Sequence, residues 1–173
     1  IVKVQILDGE QIMVSGEKIS EKRIFPQNNV QEQKAVFVLE IPDVKLWNPD
    51  SPHLYTLNAT FGNDQVMEHF GVRTLHWNER EGMTINGKRV ILRGACVHHD
   101  NGLLGACTFP EAEERKVRIL KENGYNAIRS SHYPCSKALL DACDRQGMLM
   151  MDEYVDVWYI HKTKYDYATE LKD

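Results

Sequence analysis

Asn126-Ala127-Ile128-Arg129-Ser130-Ser131-His132-Tyr133-Pro134 decides the fold, because a short apolar strand runs straight into an arginine, a histidine and a turn stiffened by proline. Upstream, a helical pattern ends at Asn123-Gly124. Downstream, a second helix starts at Ser136, and a further apolar strand, Met148-Leu149-Met150-Met151, ends in Asp152-Glu153. Strands alternating with helices at this spacing predict a parallel sheet with crossover helices. In open α/β sheets and in β/α barrels alike, ligand sites form at the carboxyl ends of the strands, and the polar residues of this chain stand at those ends.

Working outward, Asn86-Gly87 is a two-residue hairpin signal between Met83-Thr84-Ile85 and Arg89-Val90-Ile91-Leu92. The second arm is expected to continue as a strand to Cys96 and to end in Val97-His98-His99-Asp100, before a loop from Asn101 to Cys107. A capping box of Thr108 and Glu111, with Pro110 in the first turn, predicts the next helix, whose inner face takes Val117, Ile119 and Leu120. Gly124 suits the left-handed position past its end. In the second helix Ser136 is the expected cap, Leu139, Leu140 and Cys143 the inner face, and Gly147 the terminator. Strands near 90–96, 125–129 and 148–152 then join through right-handed βαβ units. So few strands cannot close a barrel, so a barrel reading requires chain beyond Asp173.

Residues 1–73 read as β. Val2, Val4 and Ile6 alternate, Asp8-Gly9 turns, and Ile12 and Val14 return. Alternation resumes at Ala35 to Ile41, at His53 to Phe61 and at Val66 to Val72, which predicts an antiparallel sandwich. About five strands are legible where an immunoglobulin-like sandwich needs roughly seven, so the chain is expected to begin inside that domain. Leu46-Trp47-Asn48-Pro49-Asp50-Ser51-Pro52-His53-Leu54-Tyr55 is a stiff connector whose Trp47 is expected to pack. Residues 74–84 show no period and read as a linker.

Composition narrows the function classes. Apolar residues make up 42% and charged residues 27% of the 173, as in ordinary soluble globular chains. A net charge of −4 supplies neither a basic stripe for nucleic acid nor a polybasic patch for lipid. No apolar run approaches the roughly 18 residues of a membrane span. Ile1 stands where an initiator methionine would, so the amino terminus reads as missing; the expected location is a bacterial-type cytoplasm. Cys96, Cys107, Cys135 and Cys143 have no CxxC spacing and are expected to be free thiols.

The runs LWNPDSPHLYTL, GVRT at 71–74, INGKRVILRGACVHHD, NAIRSSHYP and LLDACDRQGMLMMDE, in that order, resemble glycoside hydrolase family 2, which includes β-galactosidases, β-glucuronidases and β-mannosidases. The resemblance implies an incomplete immunoglobulin-like β-sandwich over residues 1–75, followed over 76–173 by the first three βα units of a (β/α)8 TIM barrel. The implied chemistry is retaining hydrolysis by two glutamates, their carboxyls roughly 5–5.5 Å apart. Both are expected beyond Asp173, so the chain itself carries neither catalytic residue. Sugar binding carries over: His98, Asp100 and His132 match positions facing the glycone, and Arg129 matches an arginine beside the nucleophile. A guanidinium there would keep the nucleophile ionised. Asp152, Glu153 and Asp156 are further candidates for the sugar or for holding Arg129. Tyr154 to Trp158 does not match the magnesium ligands of the best-known β-galactosidases, so no cofactor is expected. The implied parent is an exo-acting β-galactosidase, a homo-oligomer with a β-linked sugar as substrate.

Alternatives remain at this level. The parent could be a β-glucuronidase, or the chain a non-catalytic carbohydrate-binding or assembly module. His98, His99 and His132 with Asp100, Cys96 or Cys135 could be read as metal ligands, but adjacent histidines on a strand point to opposite faces. Cys135 near His132 is a weak nucleophile reading. Arg129 could simply pair with Asp152 or Glu153, His132 could cap the turn before Ser136, and Trp158 and Tyr159 are either a sugar platform or packing.

Overall fold

A computed structural model describes residues 2–18, 21–24, 31–34, 37–154, 161 and 163–164. The chain folds as two compact units, Ile1–Trp47 with His53–Arg73, and Asn48–Pro52 with Thr74–Asp173.

In the first unit β1 (Val2–Asp8), β2 (Gln11–Lys18), β5 (Tyr55–Phe61) and β6 (Asp64–Phe70) form an antiparallel sheet in the order β2-β1-β5-β6. The Asp8-Gly9 hairpin is present, with a bulge between Ile6 and Leu7. β3 (Glu21–Ile24) and β4 (Gln31–Lys34) make a separate hairpin that polar sequence did not signal. The strand expected over 35–41 is corrected: residues 37–41 pair with nothing as a ladder. Their exposure still alternates, with Phe37 and Leu39 lying over Gly16 of β2. Alternation here records a one-sided apolar face, and Pro42 removes a donor that pairing would use. Trp47 is buried, as expected; its N–H donates to Val72 O at 2.8 Å, and a Cβ on Gly71 would come within 2.8 Å of its side chain.

In the second unit β7 (Leu75–Asn78), β8 (Gly82–Ile85) and β9 (Lys88–Arg89) form a small antiparallel sheet, so residues 74–84 are not a plain linker. Asn78 Oδ1 accepts from the N–H groups of Arg80 and Glu81 at 2.9 and 2.8 Å, a side-chain turn that hydrophobic periodicity does not register. The continuous arm expected to Cys96 is also interrupted: β10 starts anew at Gly94–Val97. The side chain of Asn126 is the cause, accepting from Arg93 N–H at 2.7 Å and donating to Ile91 O at 2.9 Å. Those backbone groups are taken from any ladder.

β10, β11 (Ala127–Ser130) and β12 (Leu149–Met151) pair in parallel, in that order, with α1 (Pro110–Glu122) and α2 (Lys137–Gln146) as crossovers. Val117, Ile128, Leu139, Ala142, Cys143 and Met148 form the core between sheet and helices. Leu140, expected inside, is 37% exposed, because a step of about 100° per residue puts it beside the stripe of Leu139, Ala142 and Cys143. Ser136 Oγ accepts from Leu139 N–H at 3.1 Å, the expected cap. The capping box at Thr108 is corrected: Phe109 occupies the cap position without a side-chain bond. Pro110 at the first helical position drives the residue before it out of the helical region, which makes Phe109 the boundary and moves Glu111 one place too early to reach back.

Candidate functional site

The three parallel strands end side by side, and each delivers polar groups there. Alternation along β11 sends Ile128 into the helix-covered core and leaves Arg129 for the opposite face. The register places Cys96 beside Arg129 and Arg129 beside Met151. Arg129 Nε donates to Glu153 Oε1, and Nη1 reaches Cys96 Sγ at 3.6 Å. His132 Nδ1 lies 2.8 Å from Glu153 Oε2. One carboxylate thus holds both candidate sugar-facing groups. The His132 ring meets the His98 ring edge to face, centroids 5.9 Å apart. The Ser131–His132 peptide is cis, and Ser130 Oγ donates to Tyr133 O to close the turn.

Electrostatics follows the geometry. The hydrogen bond from His132, then that from Arg129, holds the Glu153 carboxyl below its ordinary 4.5. Cys96 first and Glu153 second raise the Arg129 guanidinium further. The Ser131 hydroxyl, then Arg129, pulls the exposed Cys96 thiol below its usual range.

The other candidates engage backbone. Asp100 Oδ1 accepts from Gly102 N–H at 2.9 Å, folding onto its own loop, and Asp152 Oδ1 accepts from Cys135 N–H at 3.0 Å, fixing the turn before α2. Arg129 pairs with Glu153 rather than Asp152, and the cap before α2 is Ser136, not His132. Asp156, Trp158 and Tyr159 lie outside the described residues. A groove of about 870 Å³ is lined by His98 and Asp100 together with α1, and takes in none of Arg129, His132 and Glu153. Among the described residues no group of three or more histidine, cysteine and acidic side chains converges as a metal site, and no helix is long and apolar enough to cross a membrane.

All four thiols are free. Burial pushes Cys135 up to about 11 and Cys143 up to about 12, so both are protonated at neutral pH, which removes Cys135 as a nucleophile. Timed iodoacetamide labelling at pH 7.5, read by peptide mass mapping, is expected to modify Cys96 at least about tenfold faster than Cys143. Equal rates would mean that the thiol environments are not as described.

Sequence reasoning missed Asn101 and Glu113. Asn101 Nδ2 donates at 2.8 Å to Glu113 Oε1, and Glu113 is 1% exposed. The available signal was position: Glu113 lies one helical turn before core residue Val117, so a carboxylate occupies the apolar stripe of α1.

The pattern of "Glycosyl hydrolases family 2" matches residues 2–73, and that of "Glycosyl hydrolases family 2, TIM barrel domain" matches residues 78–169. A β-galactosidase of Bacteroides ovatus is 44% identical over 135 residues, covering 75% of this chain and 16% of that protein. A putative β-glucuronidase of Formosa agariphila is 35% identical over 159 residues, 89% of this chain and 15% of that protein. The crystal structure of a family 2 glycosyl hydrolase from Bacteroides cellulosilyticus superimposes with a TM-score of 0.86 at 37% identity, over 98% of this chain and 22% of that one. The chain therefore spans less than a quarter of the length of these relatives. With both domain patterns matched in order, this chain belongs to glycoside hydrolase family 2, its immunoglobulin-like domain followed by the start of the TIM barrel.

Proposed function

We propose that the protein containing this chain is a retaining exo-β-glycosidase acting on terminal β-galactosides, and that this segment supplies part of its sugar-binding wall. The observation that carries the reading is Glu153 bridging Arg129 and His132 at adjoining strand ends. A guanidinium held there from one side has free N–H donors for sugar hydroxyls, or for a carboxylate that must stay ionised to attack an anomeric carbon. His132, oriented through Nδ1, keeps Nε2 for a hydroxyl, and the neighbouring His98 ring gives a second imidazole at the same level. The acid/base and nucleophilic glutamates come from elsewhere in the protein. The galactoside assignment rests on the 44% identity with the Bacteroides ovatus β-galactosidase. A β-glucuronide substrate is the second reading, favoured by the Formosa agariphila relative.

Turnover of aryl β-galactoside, β-glucuronide and β-mannoside by the protein of the complete reading frame separates these readings. A galactoside preference of about tenfold or more in kcat/KM is expected. Preference for the glucuronide would overturn the sugar, and turnover of none would overturn the enzyme.

A further inference from the structure

We infer that Glu113, through Asn101, is a positioning residue that sets the loop carrying His98 and Asp100; the inference rests on the glycosidase reading for its effect on substrate. The loop after β10 is closed largely on itself. Asp100 N–H donates to His98 O at 2.8 Å, Gly102 N–H to Asp100 Oδ1 at 2.9 Å, Asn101 N–H to Gly105 O at 2.8 Å and Gly105 N–H to Gly102 O at 3.0 Å. Such local bonds fix its shape and leave its placement against the barrel free.

Asn101 supplies the placement. Its Nδ2 donates at 2.8 Å to Cys107 O, across the loop, and at 2.8 Å to Glu113 Oε1, on α1. Glu113 cannot drift, because one turn further on Val117 is fully buried in the core between sheet and helices. Its second oxygen is 3.0 Å from Lys116 Nζ, whose side chain is 16% exposed, so the buried charge is paired; its place near the start of α1 favours a carboxylate further. An apolar side chain would fill such a site at less desolvation cost, so the carboxylate contributes direction rather than bulk. That direction passes to Asn101 and directly to Asp100, its neighbour in the chain and two residues along from His98.

The test uses Asn101→Ala and Glu113→Gln in the complete protein, with the wild type alongside. Asn101→Ala is expected to raise KM for the preferred aryl β-glycoside about tenfold while kcat stays within about twofold, since binding contacts are displaced and the glutamates are untouched. Glu113→Gln keeps an acceptor oxygen for Asn101 and is expected to hold KM within about threefold of wild type. Amide exchange by mass spectrometry should accelerate at Asn101 and Gly105 in Asn101→Ala and stay unchanged in β10. In Asn101→Ala an unchanged KM, or kcat and KM failing together with a fall in thermal midpoint, overturns the inference. If the wild type hydrolyses no glycoside, the function reading fails by itself, and unaltered exchange at Asn101 and Gly105 would still overturn the anchor.

Discussion

Replacing Glu153 with alanine in the complete protein is expected to lower kcat/KM for the preferred aryl β-glycoside by about a hundredfold, the scale on which loss of orientation acts. Two groups lose their support at once. Arg129 Nε and His132 Nδ1 both bond this carboxylate, one to each oxygen, so its removal frees the guanidinium to turn toward Cys96 and the imidazole to spin about its χ2. Glu153→Gln keeps an acceptor for Arg129 and loses the charge, so an intermediate loss is expected. The pH dependence has a definite sign. The Glu153 carboxyl sits below 4.5 because His132 and Arg129 favour its charged form, so the bridge is complete above that value and is lost as pH falls through the lowered one. Wild type should show a steeper acid limb below 4.5 than Glu153→Gln, in which only the nucleophile's own protonation remains. Glu122→Ala breaks only an exposed pair with Arg118 and should change kcat/KM less than about twofold. A Glu153→Ala loss no larger than that control would make Glu153 a bystander and remove the observation on which the proposed function stands.

What could be read from the chain was what local chemistry dictates. Ser136 and Gly147 bound α2 because a hydroxyl cap and a left-handed terminator act within a few residues. Arg129 and Glu153 were legible as strand-end groups, since a parallel sheet must bring its carboxyl ends together. Choosing Glu153 over Asp152 as the partner needed the register, which places Arg129 opposite Met151 and turns Asp152 toward the backbone of Cys135. Three of the misses share a cause, in that an asparagine side chain took a backbone or helix partner. Asn126 stops the strand at 90–93, Asn78 builds the turn inside the supposed linker, and Asn101 reaches a carboxylate hidden in a helix stripe. Hydrophobic periodicity does not see asparagine. The β3–β4 hairpin, Glu-Lys-Arg-Ile against Gln-Glu-Gln-Lys, failed for the simpler reason that it has almost no apolar residues to alternate.

Gly147→Ala is the substitution expected to cost most stability, about 3 kcal/mol. Gly147 ends α2 at φ +72°, where an L side chain is strained by roughly 1–2 kcal/mol. Its added Cβ would also fall 2.3 Å from Pro49 O, so backbone must move, an overpacking cost of about 1–3 kcal/mol. That movement pulls on a shared bolt: Lys121 Nζ donates to Pro49 O at 2.6 Å and to Gly147 O at 2.8 Å, tying the Asn48–Pro52 loop to the ends of both helices. Gly124 offers the matched control. It ends α1 at φ +83° with nothing within 4 Å of its missing Cβ, so Gly124→Ala should show the conformational penalty alone, about 1 kcal/mol. For a chain of 173 residues the apparent thermal midpoint should fall about 6–12 °C for Gly147→Ala and about 2–4 °C for Gly124→Ala. Adding Lys121→Met to Gly147→Ala should lower it by less than the separate losses combined, because both changes loosen the same loop. Equal midpoints for the two alanine variants would show that the approach of Pro49 carries no stability, and that the rigid connector is merely laid against the helices.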